Sequence, residues 1–186
     1  MSRRWLAAAA AAAVLSGCTE TLPPPAADID RLLALRSFQM APVAVGTFVA
    51  TGPAIGQDRG VTVRTGTFRP PAGASWAGYL GQTLAAQLRA SGRLDETAPI
   101  RIEGELVENR RGEDFSTGRA AIAVRFRVRR GGTILYDKRI EQQSDWKSSY
   151  WGFMAYEAEL RHYTSLYPRL VEQLLGDPEF RRAVAP

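Results

Sequence analysis

The chain has one cysteine, one histidine and two lysines among its 186 residues. A single cysteine excludes a disulfide framework and any zinc site built from several thiolates, and a single histidine removes most metal and triad chemistry. No apolar run approaches the roughly 20 residues of a membrane-spanning helix. Charged residues make up 23% of the chain, with 24 Lys+Arg against 19 Asp+Glu, which excludes a disordered polyelectrolyte. Hydrophobic residues make up 45%, enough to build the core of one domain.

The one cysteine is placed where it is most informative. Arg3 and Arg4 form a positive start, Leu6 to Leu15 an alanine-dominated apolar stretch, and Leu15-Ser16-Gly17-Cys18 closes it. This is the pattern of a signal peptide over residues 1–17, too short for a permanent anchor. The closing tetrapeptide resembles the bacterial lipobox, which implies acylation of Cys18, palmitate being a typical chain. The plainer reading is a free cysteine at the end of an ordinary secretory signal. Each buried methylene contributes roughly 0.8 kcal/mol, so two or three chains hold a protein on a membrane. Thr19, where an Asp favours inner-membrane retention in enterobacterial sorting, suggests the periplasmic face of the outer membrane.

Removing residues 1–17 lowers the formal charge from +5 to +3, because Arg3 and Arg4 leave with the signal. An excess of Arg over Lys suits phosphate or headgroup binding, but it also follows from genomic base composition. The export signal argues against a nucleic-acid partner.

Residues 18–36 read as a lipidated cysteine and a tether, stiffened by Pro23-Pro24-Pro25. Within it Asp28 to Leu35 can form a helical turn. The folded domain is expected over 37–186. Phe38 to Ala50 reads as a strand, with Pro42 pointing to an edge position. Val61 to Phe68 reads as a second strand. Ser75 then caps a helix in which Trp76, Leu80, Leu84 and Leu88 recur every four residues, with Gly92 as terminator.

Three strands of alternating polarity follow. Ile100, Ile102, Gly104 and Leu106 alternate with Arg101, Glu103 and Glu105; Ile122, Val124, Phe126 and Val128 with Arg125, Arg127 and Arg129; Ile134, Tyr136 and Ile140 with Leu135, Asp137 and Arg139. Parity at Arg130-Gly131-Gly132-Thr133 predicts an odd, bulged loop of three residues that keeps Val128 beside Tyr136. Tyr156, Leu160, Tyr163, Tyr167, Leu170 and Leu174 form a final helical stripe, interrupted by Pro168 and ended by Gly176. Asp177-Pro178 starts a last short helix. The order β-β-α-β-β-β-α predicts an α+β fold: an antiparallel sheet of four to five strands with two main helices on one face.

Two surface features are candidate contacts for a partner or a lipid. Arg125, Arg127 and Arg129 share one sheet face roughly 7 Å apart, either as a landing site for anions or as partners of Glu103, Glu105 and Asp137. Trp146, Tyr150, Trp151, Phe153 and Tyr156 cluster around Ser148-Ser149, either lining a lipid cleft or interface or packing into the core. Arg110-Arg111 reads as a solvated loop. Catalysis has little support. His162 has no triad arrangement around it, and Glu103 and Glu105 face arginines that hold them ionised. Neither a cofactor nor a metal is expected.

The lipobox, the Pro-rich tether and this element order recur in small Gram-negative envelope lipoproteins. From Leu80-Gly81-Gln82-Thr83-Leu84 to Gly92, through the strands to Asp177-Pro178-Glu179-Phe180, the chain resembles the YajG-like family. Val61-Thr62-Val63-Arg64 and Ser75-Trp76-Ala77 are similar to the PqiC-type auxiliary lipoproteins of ABC-type lipid transporters. The LptE family shares the element order but begins Cys-Gly-aromatic, where this chain has Cys18-Thr19-Glu20. These resemblances imply a non-catalytic accessory or assembly factor that holds an envelope protein, or alternatively a lipid-binding transport auxiliary. None of them implies a catalytic residue.

Overall fold

The computed structural model describes residues 18–27, 39–63, 66–71, 74–113, 117–147 and 153–186. The signal segment 1–17, the Asp28–Leu35 turn, Ser148, Ser149, Tyr150 and Trp151 lie outside the described residues.

The elements are β1 (Cys18–Thr21), β2 (Ala44–Ala50), a 3-10 helix (Gly52–Gln57), β3 (Val61–Val63), β4 (Gly66–Arg69) and α1 (Trp76–Ala90). They continue with β5 (Ile100–Glu113), β6 (Thr117–Arg130), β7 (Thr133–Lys147), α2 (Phe153–Thr164), α3 (Leu166–Gly176) and α4 (Pro178–Ala183). The fold is α+β, with a four-stranded sheet ordered β2-β5-β6-β7 and a small sheet ordered β1-β4-β3.

Several expectations need correction. The main sheet is not wholly antiparallel, because β2 runs parallel to β5. A parallel pair needs a crossover of a dozen or more residues, and the chain from β3 through α1 supplies it. The stretch Val61–Phe68 is not one strand. It folds on itself, with Val61 opposite Phe68, into the β3–β4 hairpin of the second sheet. The beginning of the expected tether, Cys18–Thr21, is strand β1, parallel to β4 with Cys18 opposite Gly66. Of the stretch expected as the first strand, only Ala44–Ala50 is strand among the described residues, preceded by an isolated bridge between Val43 and Leu94, and Phe38 lies outside them.

Helix α1 forms as its sequence dictates. Ser75 Oγ accepts from Gly78 N at 3.0 Å, and Gly92 takes φ 70° just past the end. Trp76, Leu80, Leu84 and Leu88 are fully buried against the sheet, each such burial contributing roughly 1.5–3 kcal/mol. The C-terminal stripe divides at Ser165, so that Pro168 falls in the first turn of α3, where its missing N–H is tolerated. Asp177 caps α4 with Pro178 behind it, as expected.

Val128 does face Tyr136. The loop is nevertheless two residues, with Arg130 opposite Thr133, and the extra residue is Leu135, a bulge inside β7. Gly131 alone takes positive φ, 57°, the pattern of a type II′ turn.

Candidate functional site

Three regions bear on function: the outer face of the main sheet, the layer between its far half and α2–α3, and the outer edge of β2.

On the outer face, the alternation of β6 brings Arg125, Arg127 and Arg129 together, as the sequence predicts. The register sets Arg127 directly opposite Glu103 on β5 and Asp137 on β7. The strongest contacts are diagonal. Arg125 grips both carboxylate oxygens of Asp137 at 2.5 and 2.9 Å, Arg127 donates to Glu105 at 2.6 Å, and Arg129 to Glu103 at 3.2 Å. Arg127 also reaches Asp137 at 3.2 Å. Hydrogen bonding from Arg125, then from Arg127, outweighs desolvation and holds Asp137 below the ordinary carboxylate range. Glu108 extends the network by pairing with Arg110 and with Arg139. The stripe is thus neutralised within the sheet, which is the cross-strand reading of its residues.

Beyond Leu106 the geometry departs from the sequence reading. The register skips Val107, a bulge that leaves two β5 residues against one of β6. After it the opposite parity faces inward. Asn109 is 2% exposed, and Arg111 pairs with Glu159 of α2 at 2.7 Å, their side chains 5% and 7% exposed. Arg111 is therefore a buried strand residue and not part of a solvated loop. Tyr163, one helical turn after Glu159, donates its hydroxyl to Asn109 Oδ1 at 2.8 Å and lies 2.9 Å from the Tyr167 hydroxyl.

Around this polar layer Trp76 stacks on Tyr167 at 5.5 Å and meets Tyr163 edge-on at 4.9 Å. Tyr79 meets Tyr167 edge-on at 5.2 Å. Burial pushes all three tyrosine hydroxyls above their ordinary pKa, Tyr163 and Tyr167 most. Such hydroxyls stay neutral and act as structural hydrogen-bond partners. The sequence reading placed these tyrosines on an apolar stripe and missed Asn109 and Glu159. The one sequence signal was the loss of inward apolar residues after Leu106.

Trp146 sits at the far end of β7, 6% exposed, with its ring parallel to His162 at 5.0 Å. It lies directly over Gly118, where a Cβ would come 2.3 Å from the ring. It belongs to the core. Phe153 begins α2, and Trp151 is outside the described residues. Cys18 opens β1.

The third region was not singled out by sequence. Val45 and Phe48 of β2 and Gly81, Ala85 and Arg89 of α1 border an open groove of about 470 Å³, with Arg101 and Glu96 at its rim. Phe48 turns toward the helix and fills the space that side chains at Gly81 and Gly104 would occupy.

No family model and no curated protein matches the sequence. Among solved structures, the chain is similar to a Xanthomonas campestris protein of the family DUF330. The TM-score is 0.53 at 9% identity, covering 89% of this chain and 96% of that one. A minor lipoprotein from Acinetobacter baumannii gives 0.48 at 13% identity, covering 78% and 95%. The Xanthomonas likeness is one of fold. Among the described residues, no helix is long and apolar enough to cross a membrane.

Proposed function

We propose that the chain is a lipid-anchored protein of the bacterial cell envelope, acylated on Cys18, which acts without catalysis as an accessory factor holding a protein partner. The observation that carries this reading is the position of the only cysteine, at the end of Leu15-Ser16-Gly17-Cys18. Thr19 favours the periplasmic face of the outer membrane. Because β1 begins at Cys18 and pairs with β4, acyl chains there would hold the small sheet close against the bilayer. The ion-paired sheet face and the neutral, buried tyrosines suit a scaffold. Trp146, turned into the core against His162, supports a protein partner over a lipid cleft at the aromatic cluster.

The test is metabolic labelling with palmitate followed by separation of inner and outer membranes. The wild-type chain should carry label and sediment with the outer membrane, and a Cys18→Ala variant should lose both. Retention of the variant in the same membrane fraction would overturn the anchor.

A further inference from the structure

We infer that the outer edge of β2 takes up an extended, acidic segment of a partner protein as a fifth strand of the main sheet. The inference rests on the partner-holding reading above and names the surface and the chemistry of what it holds.

The two edges of the main sheet are treated differently by the sequence. β7 carries Asp137, Lys138, Arg139, Glu141, Asp145 and Lys147, the charges that keep an exposed edge from recruiting other strands. β2 reads Ala-Val-Gly-Thr-Phe-Val-Ala and carries no charge at all. Its ladder partner is β5 on one side. Thr51 N donates to Leu106 O of β5, so alternation turns the backbone groups of Ala50 and Phe48 to the other side, where among the described residues no strand pairs with them. Val49 beside them is 44% exposed.

The groove follows this edge. A strand laid beside β2 would project alternate side chains onto the flank of α1, where the small residues Gly78 and Ala85 line the groove. Arg89 and Arg101 stand at the rim, and among the described residues neither enters an ion pair. Glu96 is the one anion among its described lining residues, and Glu103, which lies beside Arg101 over Gly46, is already paired with Arg129. Two cations against one anion favour an incoming carboxylate. A second copy of this chain is the poorer occupant, because its β2 would bring no carboxylate to either arginine.

The test uses the full lipidated chain, isotopically labelled, in detergent micelles. The probes are a short synthetic peptide of alternating Thr and Val with central Glu residues and its counterpart with Lys. Amide hydrogen exchange of Phe48 and Ala50 is the readout. The Glu peptide should slow both by about tenfold or more, and the Lys peptide should not. An Arg89→Glu, Arg101→Glu double variant should reverse the preference. No slowing with either peptide, or equal slowing with both, overturns the inference. So does protection without peptide, whether constant, with the chain covering its own edge, or rising with protein concentration, with a second copy doing so. Palmitate labelling of the same preparation reports the anchor separately, so labelled protein that ignores both peptides loses only the edge proposal.

Discussion

Tyr163 donates its one hydroxyl hydrogen to Asn109 Oδ1 at 2.8 Å, and Tyr167, 2.9 Å away, is therefore the donor to Tyr163. This relay joins α2 and α3 to β5 on the far side of the Val107 bulge, in a layer with no solvent access. It fixes which residues of a polar strand segment turn inward.

Replacing Tyr163 by Phe removes the acceptor of Tyr167 and the donor to Asn109 together, leaving two buried polar groups without partners. The expected loss is about 1–3 kcal/mol in denaturant unfolding. Adding Asn109→Leu should cost less than the sum of the two single changes, since the groups share one network. Strict additivity would mean that the relay carries no coupling.

The Arg111–Glu159 pair sits one rung further along the same interface. Glu159→Ala takes the Glu159 carboxylate away from a buried guanidinium and should destabilise by up to about 3–5 kcal/mol. Arg111→Met with Glu159→Leu, which removes both charges, should recover most of that loss. If the double variant unfolds as readily as Glu159→Ala, the pair contributes net stability that burial of apolar side chains does not replace.

Gly118 leaves the space that Trp146 fills, so a methyl group there collides with the indole. Gly118→Ala should cost about 1–3 kcal/mol by overpacking and shift tryptophan fluorescence toward that of a solvent-exposed ring. Unchanged fluorescence and stability would place the Trp146 ring elsewhere.

Much of this arrangement can be read from residues, and what cannot has definite causes. Helix α1 is legible because its cap, its four-residue stripe and its terminating glycine all agree. The β6–β7 register is legible because one parity alone keeps Val128 beside Tyr136. The far halves of β5, β6 and β7 are not. Apart from Trp146 at the end of β7, their inward positions are Asn109, Arg111, Gly118, Ala120, Gln142 and Ser144, so no run of apolar alternation marks them as strand. The bulge at Val107 reverses parity just where the apolar signal ends. The parallel partner of β2 is a property of the crossover and has no local signature. The arginine stripe was legible together with its partners, because period-two spacing on three neighbouring strands leaves those carboxylates within reach.

Its neutralisation has a consequence for membranes. Exchanging Arg125, Arg127 and Arg129 for Gln together with Glu103 and Glu105 for Gln and Asp137 for Asn in a Cys18→Ser chain should leave its binding to phosphatidylglycerol-containing vesicles almost unchanged at physiological salt, since the six charges cancel in pairs. A several-fold loss in vesicle sedimentation would restore the stripe as an anion site.

Asp177 sets an acid limit on the closing helix. Its Oδ1 accepts from Glu179 N at 2.8 Å and Phe180 N at 3.3 Å, while Lys138 of β7 donates to Oδ2 at 2.8 Å. Burial works to raise its pKa, but the Lys138 hydrogen bond and the two amides outweigh it and hold the group below the ordinary carboxylate range. A folded-state pKa below the unfolded one means that the ionised form stabilises the fold. That contribution is present above the unfolded value of about 4 and fades as pH falls through the folded value. Asp177→Ala, which also loses the cap, should cost about 1 kcal/mol near neutral pH. Asp177→Asn keeps a capping oxygen without the titrating charge. Its stability deficit against wild type should therefore be largest at neutral pH and close as the pH falls through the acid range in denaturant unfolding. A deficit of equal size at both ends of that range would mean that the Asp177–Lys138 contact contributes nothing through charge.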